Sequence, residues 1–135
     1  MDIHHADHVA LLIQDVERSR QFYTRVLGMQ EIPRPKNFDF PGAWLTTGDF
    51  QIHLIGEEVE GRAGQTHPGY QSGELAIGHC THLAFEVPDL QSVGQRLRDL
   101  DVPIAGGPRS RGDGVQQLYI CDPDGYIVEL FAWAT

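Results

Sequence analysis

Apolar and polar positions divide the chain into two similar stretches. His8-Val9-Ala10-Leu11-Leu12-Ile13 reads as a short strand, and Asp15 then precedes a segment in which Val16, Tyr23, Val26 and Leu27 make an apolar stripe ended by Gly28. A helix is predicted over Val16–Leu27, followed by strand-like segments at Met29–Arg34, Ala43–Thr46 and Gln51–Ile55. The second stretch opens with a strand from His82, then a helix over Leu90–Leu100 whose apolar stripe is Leu90, Val93, Leu97 and Leu100. Strands at Pro103–Gly106, Val115–Cys121 and Tyr126–Trp133 complete it. Asp15 and Asp89 suit helix N-caps, because a carboxylate accepts the unpaired amide protons of a first turn. Thr47-Gly48-Asp49 and Asp122-Pro123-Asp124-Gly125 have turn chemistry between the last two strands of each stretch.

The likeness between the stretches is an internal repeat. His8-Val9-Ala10-Leu11-Leu12-Ile13-Gln14-Asp15-Val16 returns 74 residues on (8 to 82, 15 to 89) as His82-Leu83-Ala84-Phe85-Glu86-Val87-Pro88-Asp89-Leu90. Two copies of a β-α-β-β-β unit, of class α+β, account for the whole pattern. The expectation is a single domain over residues 1–135, with module 1 at about 5–56, a linker at about 57–79 and module 2 at about 80–135. The stretch from Gly56 to His79 has six glycines and no apolar periodicity, so no buried element is expected in it.

Side chains alternate along a strand, which puts His8 on a face with Ala10 and Leu12 and turns Val9, Leu11 and Ile13 to the other, helix-packed face. His82 repeats this with Ala84 and Glu86, and Glu129 shares a face with Ile127. Gly48 to Ile55 aligns with Asp124 to Phe131 at an offset of 76, so His53 is the repeat counterpart of Glu129. Four polar groups at equivalent strand positions among apolar neighbours are costly to bury without a common partner. A divalent metal ion held by His8, His53, His82 and Glu129 is that partner, and a set of imidazoles plus a carboxylate suits zinc, nickel, cobalt, manganese or iron. His4, His5, His67 and His79 have no repeat partner and are set aside; the His79-Cys80-Thr81-His82 spacing carries little, since on a strand its outer residues face opposite sides.

Composition narrows the partners. Nineteen acidic residues against ten basic give a formal charge of -9, which repels nucleic acid and anionic membrane surfaces. No apolar run approaches bilayer length and no signal-peptide pattern opens the chain, so a cytoplasmic protein is expected, with Cys80 and Cys121 on strands as reduced thiols.

These residues resemble the vicinal oxygen chelate superfamily, which includes glyoxalase I, bleomycin-resistance proteins, fosfomycin-resistance transferases, methylmalonyl-CoA epimerases and extradiol dioxygenases. The resemblance rests on His8 and its strand, Phe22-Tyr23, Leu27-Gly28, the His82 repeat and the run from Tyr119 to Glu129. It implies a curved mixed sheet around a metal with open positions, where two oxygens of a small-molecule substrate bind and an enolate, alkoxide or peroxide is stabilised. It also implies a homodimer and a catalytic part for His53, Tyr119 and Glu129. The epimerases' extra glutamate is missing around Trp44, the dioxygenases' histidine is missing near Ser110 to Gly112, and Ala10 stands where fosfomycin transferases carry Thr. A glyoxalase-like lyase or isomerase remains as the first expectation. A ring-cleaving dioxygenase and a metal-free drug-binding protein of the bleomycin-resistance kind, with Trp44, Trp133 and Tyr119 in an acidic pocket, are the alternatives.

Overall fold

Both predicted caps form. In the computed structural model, which describes residues 1–57, 61–66 and 82–134, the Asp15 carboxylate accepts from the amide of Arg18, and that of Asp89 accepts from the amides of Gln91 and Ser92. Each cap opens the helix that follows the first strand of a repeat.

By internal contacts the chain divides into two compact units, Met1–Leu75 and Ala76–Thr135. The first contains β1 (His8–Ile13), α1 (Val16–Gln21), β2 (Gln30–Ile32), β3 (Gly42–Thr46), β4 (Gln51–Gly56) and a short α2 (Arg62–Thr66). Its sheet runs β1-β4-β3-β2, with β1 parallel to β4 and the other pairs antiparallel. The second contains β5 (His82–Glu86), α3 (Leu90–Asp99), β6 (Gly106–Ser110), β7 (Val115–Cys121) and β8 (Ile127–Trp133), in the same order and the same directions: β5-β8-β7-β6. Two four-stranded mixed sheets with few helices make the fold α+β, and the repeat in sequence is a repeat in topology.

Three expectations need correction. The first helix does not continue to Leu27; it passes at Phe22–Val26 into a π-helical turn, in which the Leu27 amide donates to the Phe22 carbonyl at 3.3 Å, and Gly28, at φ +73°, ends it. The strand placed at Pro103–Gly106 lies instead at Gly106–Ser110. Only Gly106 of the expected segment pairs in register with β7, opposite Tyr119, and Pro103 has no amide to give a ladder. The linker, read as free of buried elements, contains α2, whose Ala63 is wholly buried; a five-residue helix is too short to show periodicity. His67, His79 and Cys80 fall outside the described residues. Cys121 ends β7 as an exposed free thiol.

The cores follow the alternation. In the first unit Ile52 and Leu54 of β4, Leu45 of β3, Leu11 and Ile13 of β1 and Tyr23 are buried; in the second, Leu118 and Ile120 of β7, Val128 and Leu130 of β8 and Leu97 of α3. The opposite face carries the candidate site residues, with Leu12 and Ile55 buried beside them in the first sheet and Val115 in the second.

Candidate metal-binding half-sites

Register decides which side chains meet. Parallel pairing puts Ala10 opposite His53, and antiparallel pairing puts Trp44 on the other side of His53, so Ala10, His53 and Trp44 form one row across β1, β4 and β3. In the second unit Ala84, Glu129 and Tyr119 form the equivalent row across β5, β8 and β7. His8 and His82 stand two residues before the alanine of each row and therefore on the same face. The repeat counterparts predicted from offsets alone thus take equivalent places.

The alanines matter because a methyl leaves room for the histidine two positions away to lean across the row. In the first unit the His8 and His53 rings stack, with centroids 3.8 Å apart and planes 14° from parallel, and Trp44 stacks on His53 at 3.9 Å and 6°. His8 Nδ1 is 2.7 Å from an Asp7 carboxylate oxygen, and His53 Nε2 is 2.9 Å from the Gln51 side-chain oxygen. With each of those nitrogens donating, His8 Nε2 and His53 Nδ1 keep their lone pairs. Carboxylate or amide partners of this kind hold a ligating imidazole in one tautomer.

His53 is 9% exposed, and burial lowers its pKa from 6.5 to about 4; the nearby His8 pushes the same way and Asp7 pulls against both. At neutral pH it is an uncharged imidazole, ready to coordinate without first losing a proton. The hydrogen bond from His8 holds the Asp7 carboxyl below its usual range.

In the second unit His82 Nε2 lies 3.2 Å from Glu129 Oε2, and the buried Gln117 donates to Glu129 Oε1 at 2.7 Å. One carboxylate oxygen is thereby anchored while the other points at His82. Tyr119 packs edge-on against the His82 ring at 6.1 Å, and the Arg109 guanidinium lies over the Tyr119 ring at 5.2 Å.

The second pair has the spacing of two donors to one ion, whereas the first is a face-to-face ring stack. Nitrogen and oxygen donors about 2.0 to 2.2 Å from one ion stand about 3 Å apart, which is the His82–Glu129 spacing. Each unit supplies two donors, and among the described residues no group of three or more His, Cys, Asp or Glu side chains is gathered for an ion. His8 with His53, and His82 with Glu129 and Tyr119, are the predicted residues brought together; His4 and His5 are exposed, and His5 Nε2 lies 3.7 Å from the Asp7 carboxylate that also meets His8.

Sequence reading passed over Asp7, Gln51 and Gln117 as partners of the candidate ligands. Gln117 was open to detection, being two residues from Tyr119 and so on its face. A cavity of about 220 Å³ in the first unit, bounded by His8, His53, Trp44, Phe38, Phe40 and Arg62, was not. Phe38, Phe40 and Arg62 come from segments without periodicity.

Residues 5–130 match the Glyoxalase/Bleomycin resistance protein/Dioxygenase superfamily. The chain is 29% identical over 126 residues to "Glyoxylase I 4" of Arabidopsis thaliana, covering 92% of this chain and 68% of that one. It is 32% identical over 126 residues to "Glutathione transferase FosA" of Serratia marcescens, covering 92% and 77%. Among solved structures, an integron cassette protein from the mobile metagenome of V. Cholerae is 26% identical with a TM-score of 0.74, covering 99% of this chain and 98% of that one. With the family matched along nearly its whole length and the fold repeated in that structure, the chain belongs to the glyoxalase, bleomycin resistance protein and dioxygenase superfamily.

Proposed function

We propose that the protein is a metal-dependent lyase or isomerase of the glyoxalase kind, acting on a small oxygenated substrate, with one divalent ion held by His8, His53, His82 and Glu129. The observation that carries this reading is the equivalence of the two rows: each unit sets one donor beside an alanine and an aromatic, with a histidine leaning across. The ion, when bound, supplies a Lewis acid that stabilises negative charge developing on a substrate oxygen.

The chain's own residues do the rest. Asp7 and Gln51 orient the two imidazoles of the first unit, and Gln117 fixes the Glu129 carboxylate. Trp44 covers one face of His53 and shields it from water. A pKa near 4 makes His53 a good neutral ligand but a weak base, which favours the ligand role for it over proton abstraction. Glu129 Oε2 is free of Gln117, so it is the oxygen that would meet the ion and, on leaving it, would accept a carbon-bound proton. Tyr119, beside Glu129 in its row, completes the polar wall there.

His53 shares its face and its stacking with His8, which supports a four-donor set over the two-histidine, one-carboxylate set of a ring-cleaving dioxygenase. A binder of cationic drugs is less well supported, because the guanidinium of Arg62 lines the cavity beside His53. Two donors per unit also support a homodimer in which unit 1 of one copy and unit 2 of another complete each ion's shell.

Metal analysis of the purified protein tests the reading. Close to one zinc, nickel, cobalt, manganese or iron ion per chain is expected, with isomerase or lyase turnover lost on chelation and restored by metal. Full turnover in rigorously metal-free protein would refute it.

A further inference from the structure

Arg62 is placed as a binding group would be. Its guanidinium lies over two aromatic rings, 5.0 Å from the Phe38 centroid and 4.9 Å from that of Phe40, and Arg34 lies 5.0 Å from Phe40 as well. Stacking uses the flat faces of a guanidinium and leaves its N–H edge for hydrogen bonds. Yet among the described residues the buried Arg62 Nε and Arg34 Nη1 have no hydrogen-bond partner, and no carboxylate pairs with either. Two cations at one ring, with unsatisfied buried donors, call for an anion.

The cavity beside them gives that anion a size and a shape. At about 220 Å³ it is below the ~300–1,000 Å³ of sites for drug-sized ligands, so it takes a compact group. Phe38, Phe40 and Trp44 line it, which suits a flat unsaturated body, and His8 and His53 bound the same space. We propose that this cavity is a carboxylate subsite, in which Arg62 forks onto the acid of a compact aryl or conjugated carboxylate whose flat body lies against the aromatic wall. This names the substrate class for the function proposed above and rests on that reading only in calling the ligand a substrate; the subsite itself needs no metal.

Benzoate and its neutral counterpart benzamide are the probes, titrated into the full-length, chelator-treated protein and followed by calorimetry. Benzoate is expected to bind at least about tenfold more tightly than benzamide, the margin of a charge-assisted fork. Arg62→Gln should erase that preference, Arg62→Lys should keep part of it, and Arg111→Gln, which loses an ion pair with Asp113 and a contact over the Phe131 ring in the second unit, should leave it intact. If Arg62→Gln does not fold, the native comparison and Arg62→Lys still decide. Equal binding of the two probes, no binding of either, or an unchanged preference in Arg62→Gln would overturn the subsite. So would benzoate binding only after metal is restored, since its acid would then sit on the ion. Metal content, measured separately, judges the metal reading, and the two can fail independently.

Discussion

The imidazole of His53 lies face to face with that of His8, 3.8 Å between centroids, with the indole of Trp44 against its other side. A charged ring in that position would meet a second imidazole and little water. This is why His53 stays neutral far below the usual histidine range, and it makes the folded chain's stability depend on pH. Unfolded, His53 takes up a proton near pH 6.5; folded, it does so only near 4. Between those values the unfolded chain binds the extra proton, so the stabilisation is complete above pH 6.5 and is lost as pH falls toward 4. Allowing for partial solvent access, the loss is on the order of 2 kcal/mol. Urea unfolding of metal-free protein at pH 7 and pH 4.5 should show this loss in the native chain, over and above that in His53→Gln. Equal losses in both would assign the effect to other groups.

Loss of a candidate ligand has a different signature from loss of an exposed histidine. His82→Ala and Glu129→Ala should each lower metal affinity by at least about tenfold, whereas His4→Ala, at an exposed N-terminal position, should leave it unchanged. Competition with a chromogenic chelator measures all three. Comparable weakening in His4→Ala would mean that the repeat selected the wrong histidines.

Gln117 separates holding a carboxylate from being one. Its amide donates to the 5% exposed Glu129, and Leu at that position would keep the volume while removing the donor. A buried acceptor left without a partner costs about 1–3 kcal/mol, and partners behind metal ligands are worth about 10- to 100-fold in affinity. Gln117→Leu is therefore expected to lose both stability and metal. Unchanged affinity in Gln117→Leu would show that Glu129 needs no such support, or does not ligate.

The placing of these residues shows how far sequence carries. The 74- and 76-residue offsets made His82 the counterpart of His8 and Glu129 that of His53, and strand alternation and parallel register convert such spacing into position on a face. The π-helical turn at Phe22–Val26 was hidden, since one extra residue in a turn leaves the apolar stripe almost unchanged. Arg62, Phe38 and Phe40 were hidden for another reason: they meet through the tertiary fold, and segments with no period give no sign of what they touch. The two rows of repeat-equivalent residues were legible and the wall of the cavity was not.

Whether each ion draws on one chain or two can be decided by complementation. One chain carries His8→Ala and His53→Ala, and so has no donors in its first unit; the other carries His82→Ala and Glu129→Ala, and has none in its second. Neither alone should hold metal. If sites form within single chains, mixing them restores nothing, since every chain still lacks half its donors. If sites are shared in a homodimer, each mixed dimer has one site built from the two intact units and one built from the two emptied ones. Random pairing makes half the dimers mixed, so co-refolded protein should bind about one ion per four chains. Sedimentation provides the companion measurement: a species of twice 15.1 kDa at micromolar concentration, with metal released as dilution drives it apart. Mixed dimers without metal would place both halves of the site in one chain, and a lone 15.1 kDa species that holds its ion would remove the dimer from the account.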